Sequence, residues 1–243
     1  MTSRIRSTVL LTAMLVVAAS AQASLITYYG LRDTGIGAPS DAPLVARNTF
    51  LANVINPGTE TFSSFIISTP GDPLPIVFAG NGRTGSISGP NFFVQNNAGG
   101  NPGGRYDTTV AGDRYIDADD NLTVTFTIPT NVFGFYGTDI GDFANAGVAL
   151  DVLLTDVNDV ATNLVVQLAG TANGSLLFWG FIDDGIAYKS VRLSVPISDF
   201  IGLDDMIVGS LPRVQPPGVP EPASLALGGV ALLALAAIRR RRR

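Results

Sequence analysis

The 243-residue sequence contains neither cysteine nor histidine, and its single lysine is Lys189. Without cysteine there is no disulfide framework, no thiolate zinc site and no cysteine nucleophile. Without histidine there is no Ser-His-Asp triad. Any chemistry therefore rests on carboxylates, tyrosine, Ser/Thr hydroxyls, arginine or a bound hard cation. Glutamate is nearly absent too: of the 20 acidic residues only Glu60 and Glu221 are not aspartate. The glycine-rich run 99–104 has neither a lysine nor a following helical pattern, so it is not a phosphate-cradling loop.

Both ends read as targeting segments and are set aside before the fold is considered. Arg4 and Arg6 form a positive n-region, Val9 to Ala19 an apolar run broken by Thr12, and Ala21-Gln22-Ala23 a small-x-small site. Residues 1–23 are expected to be a signal peptide cleaved before Ser24. At the other end Pro216, Pro217, Pro220 and Pro222 mark a linker over 215–222 that cannot continue a sheet. Ala223 to Ile238 are apolar but for one serine, and Arg239 to Arg243 follow. As a helix, 223–238 is about 24 Å long, somewhat short of a hydrocarbon core of about 30 Å, and snorkelling arginines extend its reach. The arginine run is expected to stay cytoplasmic, which places residues 24–214 on the far side of the membrane.

Val219-Pro220-Glu221-Pro222-Ala223-Ser224, the apolar helix and the terminal arginines resemble, in this order, the PEP-CTERM sorting signal of Gram-negative bacteria. The resemblance makes Pro220, Glu221 and Pro222 the sorting motif. It implies processing by an exosortase-type protease after transient anchoring in the inner membrane. It also implies delivery to the cell surface or extracellular matrix of a bacterium that makes exopolysaccharide.

Between the two ends lie eight basic and nineteen acidic residues, a net charge of −11. A domain this acidic repels phosphates, so a nucleic-acid partner is not expected.

The middle of the chain reads mainly as β. Leu122, Val124, Phe126 and Ile128 alternate with threonines, and Val191, Leu193 and Val195 alternate with Arg192 and Ser194. Further strands are expected at 61–68, 132–136, 148–155, 163–168 and 176–182, with short first and last strands at 25–29 and 206–208. Asn81-Gly82, 131–134, Asn173-Gly174 and Asp184-Gly185 supply turn chemistry. One amphipathic helix is expected over 42–55, with Asp41 as N-cap, Pro43 in the first turn, and Leu44, Val45, Leu51, Val54 and Ile55 at helical spacing. Residues 89–104 read as a long loop. Many short strands with frequent turns predict an all-β, two-layer antiparallel sandwich. Gly112 to Ile116, Phe133 to Asp142, Phe178 to Ile182 and Gly202 to Val208 resemble the exported domain common in PEP-CTERM proteins, which is similar to jelly-roll, carbohydrate-binding-like sandwiches.

Several acidic groups are candidate sites. Asp117, Asp119, Asp120 and Asn121 place four oxygen side chains in five residues before a strand, a spacing that can ligate Ca²⁺ or form a solvated turn. Asp139 and Asp142 offer a second pair, as a cation site, a sugar-hydroxyl acceptor or a turn. Asp183-Asp184 reads the same way, as does Asp204-Asp205, which matches the acidic pair opening the last strand of jelly-roll relatives. Paired carboxylates also admit a glycoside hydrolase, but no signature selects a pair from so many aspartates. Phe133, Phe135, Tyr136, Phe178, Trp179 and Phe181 are either core or a sugar-stacking platform. The reading carried forward is a non-catalytic surface or exopolysaccharide-matrix protein without a required cofactor. A carbohydrate-binding module is the alternative, and a carboxylate-dependent hydrolase the more distant one.

Overall fold

The computed structural model describes residues 24–33, 36, 38–69, 71–96, 103–108, 114–119, 121–141, 148–168, 172–195 and 200–211. The expected signal peptide, linker, membrane span and arginine run lie outside them. Among the described residues no helix is long and apolar enough to cross a membrane.

Two antiparallel sheets face each other. The seven-stranded sheet runs β1 (Leu25–Arg32), β11 (Leu176–Asp183), β8 (Val132–Thr138), β13 (Ile201–Ser210), β6 (Tyr115–Ala118) and β5 (Phe92–Gln95), with β2 (Ile55–Glu60) also paired to β13. The six-stranded sheet runs β10 (Ala161–Leu168), β9 (Val148–Asp156), β12 (Tyr188–Ser194), β7 (Leu122–Thr130), β4 (Arg83–Ser88) and β3 (Leu74–Phe78). The all-β sandwich expected from the alternation is the architecture found.

Strand β7 shows how pattern becomes structure. Leu122, Val124 and Phe126 point inward and are buried, while Thr125 and Thr127 stand exposed on the other face. Phe126 meets Phe133 of the opposite sheet edge-on at 5.5 Å, and Phe78 lies 6.3 Å from it on its own sheet. With Phe135, Trp179, Phe181 and Tyr188 these rings form the aromatic centre of the main core. The six aromatic residues weighed as a sugar platform are all buried, and so they are core.

The seven-stranded sheet is apolar on its outer face as well. Val132, Tyr136, Leu176, Phe178, Ile182 and Ile207 form a second core there, under α1 (Asp41–Leu51). Phe50 is fully buried against Phe178 (5.6 Å between ring centroids) and Tyr28 (5.5 Å). It sits above Gly134 and Gly180, which are paired in register; a Cβ on either would lie 3.3 Å from the Phe50 ring. Gly30 of β1 admits the helix backbone in the same way, since a Cβ there would come within 2.2 Å of the Ala42 carbonyl oxygen.

The sandwich's two long seams differ. On one side β2 and β3 are stitched together by the Thr59–Ala79 bridge, and the Asn81 amide donates to the carbonyls of Asn56 and Val208. On the other side lie β1 and β10, the terminal strands of their sheets, with no strand pairing between them. Among the described residues, the partly buried apolar side chains Leu25, Leu31, Leu164 and Val166, packed on the main core, lie on these two strands.

Several local expectations are corrected. The helix ends at Leu51, because Ile55–Glu60 pairs with β13 instead. Its N-cap is Ser40 rather than Asp41, and its buried face is Pro43, Ala46 and Phe50, leaving Leu44 and Val45 exposed. No strand forms over 61–68: Phe62 has φ 57°, its N–H is held by Glu60, and Ile66 and Ile67 are exposed. Strands β2 to β6 were not foreseen; β5 lies in the expected loop 89–104, and β6 contains Asp117.

Replacing Phe126 with Ala should lower the unfolding free energy by about 3–5 kcal/mol, the cost of an aromatic-sized cavity. Thr125→Ser should change it by no more than about 0.5 kcal/mol. Urea denaturation of both variants checks this, and equal losses would contradict the one-sided burial of β7.

Candidate functional site

Buried charge gathers on the outer face of the seven-stranded sheet, beyond the end of α1. Segment 103–108 crosses there and inserts Arg105. The guanidinium pairs with Asp117 of β6 at 2.8 Å and with Asp139, just after β8, at 3.5 Å. Gly202 lies between the two acids in register, opposite both Asp117 and Thr138. A Cβ at Gly202 would meet the Thr138 hydroxyl at 2.2 Å, so the absence of a side chain there makes room for this arrangement. Asp139, fully buried with φ 61°, also accepts a hydrogen bond from the Gly174 N–H at 3.0 Å. Burial raises the Asp117 carboxyl above its ordinary value, and the Arg105 charge only partly offsets this.

Asp204, paired with Tyr136 of β8, and Asp205 lie where β13 is unpaired on its other side. On one side of β13, β6 covers Ile201 to Leu203 and β2 takes over from Met206. On the other side the register with β8 shifts between Asp204 and Ile207, and Asp205 has φ 46°. The Asp204 carboxylate accepts from the Thr108 N–H (2.7 Å), the Thr108 hydroxyl (2.9 Å) and the Asp205 N–H (2.7 Å). Burial first, then the Asp205 charge, push the Asp204 carboxyl well above the usual carboxylate range, against the pull of these donors.

The remaining acids do local work. Asp119 donates its N–H to the Asn91 carbonyl, and Asn121, with φ 71°, accepts from the Ser194 hydroxyl at 2.9 Å. Asp120 and Asp142 lie outside the described residues. Asp183 holds the turn before β12, accepting from the N–H groups of Gly185 and Ile186 and from the Tyr188 hydroxyl. Among the described residues no three acidic side chains are grouped so that they could hold a metal ion. The structure thus brings Asp117 and Asp139 together through Arg105 and holds Asp204 and Asp205 where β13 passes from β6 to β2.

Two features escaped sequence reasoning. Glu60, at the closed seam, lines a cleft of ≈ 230 Å³ with Thr59, Thr61, Ser63 and Ser64. Its carboxylate takes the N–H groups of Phe62 (2.7 Å) and Val77 (3.1 Å), and burial raises its pKa despite them. The open seam holds a second cleft of ≈ 300 Å³ lined by Thr27, Tyr29, Leu164, Val166, Gln167 and Trp179. Nothing in the sequence marks it, because β1 (Leu-Ile-Thr-Tyr-Tyr-Gly-Leu-Arg) shows no alternation and β1 and β10 meet only in the fold.

Residues 218–243 match the PEP-CTERM protein-sorting motif. No curated protein matches the chain by sequence. Among solved structures, the K2 cleaved adhesin domain of Lys-gingipain is similar at 17% identity and TM-score 0.37, covering 63% of this chain and 98% of that one. The CBM22-1–GH10 modules of Clostridium thermocellum endo-1,4-β-D-xylanase 10B, complexed with xylohexaose, show 10% identity and TM-score 0.37 over 66% of this chain and 29% of that one. TmCBM61 in complex with β-1,4-galactotriose shows 14% identity and TM-score 0.27 over 52% and 88%. These scores are low, and the ligands belong to those proteins alone.

A carboxyl whose folded-state pKa is raised stabilises the fold most in acid and loses that contribution as pH rises through the folded value. Asp204→Asn should therefore cost most stability below the ordinary carboxylate value of 3.8, and progressively less toward neutrality. Denaturation midpoints of wild type and variant across acid to neutral pH measure this. A cost that grows toward neutral pH would contradict the burial-dominated shift.

Proposed function

We propose that this chain, exported and held transiently in the membrane by its C-terminal sorting tail, is a non-catalytic protein of the cell surface or extracellular polysaccharide matrix. The observation that carries the reading is the tail match at 218–243, attached to an acidic β-sandwich. An exosortase-type protease of a Gram-negative cell is the processing partner, acting at the Pro220-Glu221-Pro222 motif. The disposition of the acids supports a non-catalytic role. A glycosidase needs two carboxyl groups about 5–9.5 Å apart facing a substrate cleft. Here Asp117 and Asp139 share Arg105, and Asp204 bonds Thr108 in the interior. The Ser24 backbone nitrogen donates to the Asp184 carboxylate, an arrangement that suits a free α-ammonium exposed by cleavage after Ala23.

Mass spectrometry of protein recovered from the producing cell tests the processing. The mature form should begin at Ser24 and lack Arg239 to Arg243, whereas cells without the processing protease should retain the arginine run. An intact arginine terminus on protein from the wild-type surface would refute the sorting claim. Turnover of any polysaccharide by the purified protein would refute the non-catalytic role.

A further inference from the structure

The terminal strands of the two sheets do not guard their outer edges alike. At β3, Pro75 has no N–H, Val77 gives its N–H to the Glu60 carboxylate at 3.1 Å, and Ala79 pairs with Thr59. At β5, Val94 exchanges both backbone hydrogen bonds with Ser68. Such devices keep a strand edge from pairing with another chain. At β1 and β10, which share the open seam, no described strand pairs with the outer edge. Strand β10 is 8 residues long and carries no proline, no charge and no register shift.

The hairpin with β9 fixes which groups of β10 face outward. Asp156 donates its N–H to the Val160 carbonyl at 3.0 Å, and the register from there is unbroken. Hydrogen-bonded pairs alternate along an antiparallel ladder, so Thr162, Leu164, Val166 and Leu168 are the residues bonded to β9. The N–H and C=O groups of Ala161, Asn163, Val165 and Gln167 therefore point to the open edge. The side chains of these four stand on the solvent face, where Val165 is 52% exposed.

We infer that β10 pairs antiparallel with β10 of a second copy of this chain, about a twofold axis at Val165. In that register Val165 meets its own copy, and Asn163 meets the partner's Gln167, an amide against an amide. On the core-facing side Leu164 meets the partner's Val166. The hydrogen-bonding residues of the two edges coincide as well, because Asn163, Val165 and Gln167 all offer their backbone groups outward. A slip of two residues either way sets Val165 against an amide, and a slip of one turns core-facing side chains to solvent. The same strand supplies both halves of the match, as a closed twofold interface requires. Charge selects this edge too. The exported part carries nineteen acidic against eight basic residues, so two copies approach most easily where charge is absent. Asp151, beside Val165 on β9, would stand three strand spacings, about 14 Å, from its copy, beyond a screening length of about 8 Å. The axis is normal to the sheet, so the two six-stranded sheets become one and the open seams turn toward each other. None of this depends on the matrix reading above.

Sedimentation equilibrium of the protein purified from the producing cell, from dilute to concentrated solution, tests the pairing. Wild type should reach twice the monomer mass. Val165→Asp places two carboxylates on the axis and should weaken association about tenfold or more, as should Val165→Lys with two ammonium groups. An equimolar mixture of the two variants should recover a dimer, a rescue that a folding defect would not give. Both variants should keep melting midpoints close to wild type, since Val165 is half exposed. A dimer indifferent to either charge overturns the β10 interface, and so does a mixture that stays monomeric. Wild type that is monomeric throughout also overturns it, and leaves the edge to a strand of a different chain.

Discussion

The seven-stranded sheet has to be kept from water on both of its faces, and most of the structure follows from that constraint. Its inner face packs on the six-stranded sheet through Phe133, Phe135, Trp179 and Phe181. Its outer face carries Tyr136, Leu176 and Phe178, which an ordinary one-sided sheet would leave wet. Helix α1 covers one end of this outer face, with Phe50 lowered onto the paired glycines of β8 and β11. The 103–108 segment covers the other end. Each cover is specified by its seat: Gly30 for the helix backbone, Gly202 beneath Arg105.

Burying that second face also decides what happens to the acids. Strand β6 and the end of β8 bring Asp117 and Asp139 into the interior, where an unpaired carboxylate would be costly. Arg105 supplies the charge that both share, and Thr108 supplies donors to Asp204. A domain with so few basic residues spends one of them here, inside the molecule. The polar face of the protein is instead the outside of the six-stranded sheet. Thr123, Thr125 and Thr127 stand there beside Thr84, Ser86 and Ser88 of β4, with the Thr84 hydroxyl bonded to Thr127.

Strands with one wet face were largely legible in the sequence: the alternation at Leu122, Val124 and Phe126 and at Val191, Leu193 and Val195 marks the inward side chains, but Ile128, expected on the same buried face, is 62% exposed. Strands buried on both faces were legible as apolar runs, as at Leu176 to Ile182, but their pattern could not say which face met the other sheet. Strand β2, with the sequence Ile-Asn-Pro-Gly-Thr-Glu, carries the marks of a turn and is a strand only because β13 presents it a partner. The aspartates were legible as a class, but their partners were not. Arg105 lies in a glycine-rich stretch without periodicity, and its meeting with Asp117 and Asp139 is a product of topology. The seam cleft was invisible for the same reason, because β1 and β10 are adjacent only after both sheets have formed.

The place of β13 bears on how such a protein leaves the cell. It is the last strand of the sandwich, yet it lies at the middle of the seven-stranded sheet, hydrogen-bonded to β8 on one side and to β6 and β2 on the other. A chain threaded outward from its N-terminus cannot close that sheet until residues up to Ser210 have crossed. Until then β2, β6 and β8 lack their common partner. The seven-stranded sheet locks only when little more than the sorting tail remains to be delivered to the membrane.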